Sequence, residues 1–161
     1  MAIDSFLKLG TLKGESVVKG FEDQMQILSW GWGMTQTGTT HSASGGGAGK
    51  VDVQDLHVVK HIDAASPNLA LSCAKGTHYD SAVLTMRKAG GTALEYVTLT
   101  LTDVLVSSYS VSSSGGSDQL QDTVALNFGK FKYSYQPQDN KGAKKGGAID
   151  ATYDIAKNVD A

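Results

Sequence analysis

Residues 42–51, Ser-Ala-Ser-Gly-Gly-Gly-Ala-Gly-Lys-Val, set a lysine directly behind a glycine run, the composition with which a P-loop cradles phosphate. The spacing does not fit. The motif G-x-x-x-x-G-K-[ST] needs a glycine where Ser44 stands and a magnesium-binding hydroxyl where Val51 stands. Residues 51–58, Val-Asp-Val-Gln-Asp-Leu-His-Val, also read as a strand, not as the helix whose N-terminus would receive the phosphates. Nucleotide binding at Lys50 is therefore disfavoured against a plain glycine loop entering a strand, since glycine reaches positive φ without cost.

Other reactive residue types are equally sparse. Cys73 is the single cysteine, so no intrachain disulfide can form; within an apolar helical face it reads as an inert packed thiol, not a nucleophile. No G-x-S-x-G elbow occurs. His57 and His61 are four apart, a metal-binding pair on a helix. On a strand they share a face about 13 Å apart, too far to hold one ion. His41 and His78 lie in turns without neighbouring ligands, and Glu22 and Asp23 are adjacent and solvated. Asp52 and Asp55 fall on opposite strand faces unless a bulge at Gln54 realigns them. Trp30 and Trp32 share one strand face, where core filling is favoured over a sugar-stacking platform. The expectation is no catalytic residue, no cofactor and no metal.

What positions these side chains is a chain of 161 residues with 14 basic and 16 acidic groups and a net charge of −2, which suits a single domain over 1–161. The near-balance favours neither nucleic acid nor an anionic membrane as main partner, and the lysines between Lys130 and Lys145, mixed with aromatics, glycines and acids, read as a solvated face. No apolar run approaches the ~20 residues of a membrane span. The segment Met-Ala-Ile-Asp-Ser-Phe-Leu-Lys at the start lacks the basic, apolar and cleavage regions of a signal peptide. Synthesis in the cytoplasm is expected, with any export by another route. Two prolines against nineteen glycines leave strand hydrogen bonding free and supply turns and bulges.

Most of the sequence alternates. In residues 94–106, Val97, Leu99 and Leu101 share one face and Thr98, Thr100 and Thr102 the other, until the phase slips at Asp103 and the apolar positions become Val104 and Val106. Similar slips separate Val124, Leu126 and Phe128 from Phe131, Tyr133 and Tyr135 at Gly129. They also separate Met25 and Ile27 from Leu28, Trp30, Trp32 and Met34, and Val51 and Val53 from Leu56, Val58 and Ile62. Long strands carrying such slips predict bulges and bends, and hence a mainly β fold: an antiparallel β-barrel made of two curved sheets. One short helix is predicted at about residues 66–75, opened by Ser66 as a cap and Pro67 at the first helical position and stopped by Lys75 and Gly76. Turns are expected at 88–92 and 112–118, and a polar loop at 136–148 precedes a last strand carrying Ala151, Tyr153 and Ile155.

A series of short stretches then falls in a familiar order: Gly14-Glu15-Ser16, Ser29-Trp30-Gly31-Trp32-Gly33, Gly47-Ala48-Gly49-Lys50-Val51, Asp55-Leu56 with Lys60 and Asp63, Ser66-Pro67-Asn68-Leu69, Val104-Leu105-Val106-Ser107-Ser108, Gly115-Gly116-Ser117-Asp118 and Tyr135-Gln136-Pro137-Gln138. Together, and over nearly the whole chain, they resemble the haemolysin-coregulated proteins, the tube subunits of bacterial type VI secretion systems. The resemblance implies a non-enzymatic β-barrel flanked by a helix, six copies of which form a ring. Rings stack into a hollow tube that a contractile sheath drives outward behind a spike protein, with small effector proteins carried in the lumen and the subunit itself secreted by that apparatus. By the same analogy residues 37–49 form an extended ring-stacking loop, with Thr40, His41, Ser42, Ser44, Gly45, Gly46 and Gly47 at its contact, and Ser112, Ser113 and Ser114 face the lumen. The competing readings are a monomeric ligand-binding β-barrel and, behind it, a hydrolase or a nucleotide-binding protein.

Overall fold

The computed structural model describes residues 3–38, 48–88, 94–113, 115–116 and 119–161. Its strands are β1 (Ile3–Leu9), β2 (Met25–Ile27), β3 (Ser29–Gly31), β4 (Met34–Gly38), β5 (Ala48–Val53) and β6 (Leu56–His61), followed by helix α1 (Ser66–Lys75). Then come β7 (His78–Lys88), β8 (Glu95–Ser112), β9 (Gln121–Tyr135), β10 (Ile149–Asp154) and β11 (Val159–Asp160). Every described pairing is antiparallel.

The main sheet runs β11-β10-β9-β8-β7-β1-β2, and β9 also carries β6, which in turn carries β3. Because Leu28 joins β2 directly to β3, the wall that leaves β9 through β8, β7 and β1 returns to it through β3 and β6. The hydrogen bonds stop short of a complete cylinder, but the curl encloses one core. Leu7, Leu9, Met25, Leu56, Val58, Leu84, Leu99, Leu101, Val104, Leu126 and their neighbours are buried there.

The two slips in the long strands face each other. Asp103, at φ 55°, falls between the pairs Thr102–Lys130 and Val104–Phe128, opposite Gly129. Both strands therefore exchange faces on the same rung, with Leu99 and Leu101 buried before it and Val104 and Val106 after it. Asp tolerates the left-handed region better than most residues, and glycine opposite leaves room for its side chain, with an added Cβ meeting Asp103 at 3.6 Å.

The other two slips are not bends within one strand. Residues 25–34 divide into β2, β3 and β4, and 51–62 into β5 and β6, each segment with a different partner. β4 and β5 form a separate two-stranded hairpin, and β4 is exposed throughout. The tryptophans also separate: Trp32 packs among Phe128, Phe131 and Tyr133, whereas Trp30 is 37% exposed. Ile62, expected in phase with Val58, is exposed as well.

Helix α1 matches the predicted range, and Gly76 ends it in the left-handed conformation with its N–H on the Ser72 carbonyl. The N-cap position, however, falls on Ala65, which makes no side-chain cap bond, and Ser66 is the first residue inside the helix. Its hydroxyl is turned into the core. Outside the main core, Phe21 stacks on Phe6 at 4.4 Å and the Arg87 guanidinium lies over both rings at 5.3–5.6 Å, which clamps the segment before β2 onto β1.

Candidate assembly surface

Four strands, in the order β3-β6-β9-β8, form a sub-sheet whose outer edges have no strand partner among the described residues. β7 covers β8 only from Glu95 to Leu105, while β9 continues to pair with β8 as far as Ser112; residues 106–112 thus present one open edge. At the far side β3 pairs with β6 alone. Each open edge is a row of backbone donors and acceptors ready for another strand.

The two faces of this sub-sheet differ in chemistry. One points into the core through Val58 and Val124, with Tyr109 packed beside them on the same rung, whereas Trp30 at the β3 end of that rung stays exposed. The other carries the rungs Gly31–His57–Ala125–Ser108 and Ser29–Val59–Thr123–Ser110, and then His61–Gln121–Ser112. Ser29, Gly31, His57, His61, Ser108, Ser110 and Ser112 are all exposed there. The face is small, hydroxylic and almost free of formal charge. Of the serines singled out in the sequence, Ser112 ends this row, Ser113 follows it exposed, and Ser114 lies outside the described residues. His57 and His61 do share a face, and the His57 Nδ1 lies 3.1 Å from the Asp55 carbonyl. The Asp55 carboxylate is occupied by the Asn127 amide at 2.9 Å.

Thr40, His41, Ser42, Ser44, Gly45, Gly46 and Gly47 all lie outside the described residues. Their stems are β4 and β5, paired from Met34–Val53 to Gly38–Ala48. Cys73 is half-buried against the core.

Behind the sub-sheet lies a feature that the alternation did not disclose. Lys60 is fully buried, directly across from Asp122, also fully buried, on the adjacent strand. Its Nζ donates to Asp122 Oδ2 at 3.0 Å, Asp63 Oδ1 at 2.9 Å and Ser66 Oγ at 2.9 Å. The Ser66 hydroxyl donates to the same Asp122 oxygen at 2.6 Å while accepting the Asp63 N–H at 3.0 Å, and Tyr109 Oη donates to that Asp122 oxygen at 3.0 Å. Burial, reinforced by the negative Asp122 beside it, raises the Tyr109 phenol above its ordinary value. One carboxylate thereby ties together β6, β8, β9 and the start of α1. A buried charge is tolerable only with such partners.

Among the described residues no group of three or more metal-ligating side chains forms, and no helix is long and apolar enough to cross a membrane. Residues 6–135 match the sequence profile of the family described as type VI secretion system effector, Hcp. The chain is 49% identical over its whole length to the whole of protein hcp1 of Pseudomonas aeruginosa. A solved structure of a type six secretion system protein matches with a TM-score of 0.93 at 29% identity, covering 99% of this chain and 100% of that one. Hcp1 from Salmonella typhimurium matches with a TM-score of 0.81 at 36% identity, over 100% of both chains.

Proposed function

The chain belongs to the Hcp family and is a type VI secretion tube subunit, and on that premise we propose how it builds the tube. The open edge of β8 in one copy pairs with the open edge of β3 in the next, so that six sub-sheets join into one ring. Because the two edges differ, the contact is head-to-tail, the kind that closes into a ring when the rotation is right. The observation that carries this reading is the placement of both open edges on the same four-stranded sub-sheet, backed by a small polar face free of other strands.

In the closed ring that face lines the channel, with Ser29, Ser108, Ser110 and Ser112 as its hydroxyl rows and Ser113 and Ser114 at its rim. Short hydroxyls grip no single cargo strongly, which suits passage of varied effector proteins. The exposed β4–β5 hairpin carries Thr40, His41, Ser42, Ser44, Gly45, Gly46 and Gly47 toward the neighbouring ring, where glycine and serine adapt at the entropic cost of ordering. The contractile sheath surrounds the stack, the spike protein caps it, and the subunit leaves the cell through the apparatus itself. The role is structural and non-enzymatic: Cys73→Ser should leave assembly intact.

Electron microscopy of the purified chain tests the proposal. Closed rings of one size are expected; a strictly monomeric species at high micromolar concentration overturns it.

A further inference from the structure

We propose that the buried Lys60–Asp122 pair is a register lock for ring closure, a reading that rests on the edge-to-edge ring above. Apart from this pair, the core-facing residues of β6 and β9 are interchangeable. Leu56 and Val58 on β6 face Leu126 and Val124 on β9, all apolar and all buried. A one-residue slip would turn every side chain to the wrong face. A two-residue slip keeps the faces and exchanges one apolar pair for another.

The charges remove that degeneracy. Shifted by two in either direction, Lys60 would stand opposite Val124 or Leu120, and Asp122 opposite Ile62 or Val58, so both charges would be buried or half-buried without each other. Ser66 reinforces the choice, since it follows β6 through a short connection and donates to the same Asp122 oxygen; Tyr109 donates to that oxygen too, but from β8, whose pairing with β9 a slip of β6 leaves unchanged. The pair is the buried cross-strand contact that separates registers the apolar residues treat as equal; on the exposed face the Asn127 amide on Asp55 belongs to the same register.

Register here has a consequence outside the core. β3 is carried by β6, and β8 by β9. A two-residue slip between β6 and β9 would displace the β3 edge relative to the β8 edge by about 7 Å along the strands. The two open edges would then no longer meet level between neighbouring copies.

The test replaces both charges by apolar side chains of similar size, Lys60→Met with Asp122→Leu, in a Cys73→Ser background. Register is read by oxidative crosslinking of Val59→Cys with Thr123→Cys, partners in the observed register, or with Gln121→Cys, a partner only after a two-residue slip. With Lys60 and Asp122 in place, crosslinking is expected at 59–123 and not at 59–121. In the double variant the 59–121 crosslink should appear and closed rings should fall at least tenfold, while the thermal midpoint stays within a few degrees. The charge-swapped variant, Lys60→Asp with Asp122→Lys, should restore crosslinking at 59–123 alone. An unchanged crosslinking pattern with an undiminished ring yield overturns the lock. So does failure of the double variant to fold, which would make the pair a source of stability and not of register. Absence of rings from the unsubstituted chain would count against the ring itself, and the crosslinks would still decide the lock.

Discussion

At the scale of single residues, the decisive side chains are those that break the apolar alternation. Lys60 follows Leu56 and Val58 at the spacing of a buried face, and Asp122 precedes Val124 and Leu126 in the same way. Two opposite charges in core phase were therefore written in the sequence, but their 62-residue separation hid that each answers the other. Ser66 differs from its expected role as a cap because the helix starts one residue earlier, with Ala65 at the N-cap, and its donation to Asp122 on a distant strand leaves no local mark in the sequence. Removing one member should be far worse than removing both. Lys60→Met alone leaves the Asp122 carboxylate buried without its cation and should cost about 3–5 kcal/mol, read from urea unfolding. Tyr109 supplies a pH test. Its phenol is raised in the folded state, so its contribution is fully present below the ordinary value near 10 and is lost as pH rises from there toward the folded value. Stability should fall above about pH 10, and Tyr109→Phe should make that alkaline decline shallower.

At the scale of elements, the long strands were legible and the short ones were not. β7, β8, β9 and α1 follow from local signals: alternation, a glycine or aspartate at each slip, and a proline-to-glycine helix frame. The slips at 25–34 and 51–62 resembled bends because one sequence cannot distinguish a strand that bends from one that stops and changes partner. β1 was not identified, because Phe6 on one face and Leu7 and Leu9 on the other are all buried, so the alternation that marks a half-buried strand is blurred. The segment before β2 is pressed close: a Cβ added at Gly14 would fall 2.6 Å from the Gln24 carbonyl oxygen. Gly14→Ala should destabilise by about 1–3 kcal/mol, measured by thermal or urea unfolding, with loss of the Gly14–Asp23 bond. The open β8 edge can be blocked at an exposed side chain, although that residue stands across from Asp122. Val111, 53% exposed, is a site where a lysine should discourage strand pairing. Val111→Lys should keep the unfolding midpoint and convert rings to monomers in light-scattering chromatography.

At the scale of the whole molecule, the division of labour runs between body and projection. The barrel body carries both open strand edges, and β4 and β5 pair only with each other among the described strands. Deleting residues 40–46 should leave single rings at full yield while shortening or abolishing stacked tubes, counted by electron microscopy. Of the exposed hydroxyl row on the sub-sheet, only its last member, Ser112, was singled out from the sequence. Ser108 and Ser110 precede it in the same alternation on β8, whereas Ser29 is on β3, which only the fold brings into the same sheet.

The rung of Asp103 and Gly129 reaches further than its geometry. On β9 it separates the half held by β10 from the half held by β6, and on β8 the cover by β7 ends two residues beyond it, at Leu105. A bend placed at one level in two neighbouring strands works as a seam. Apolar side chains stay on the interior on both sides of it, so the wall changes direction there without interrupting the core it encloses.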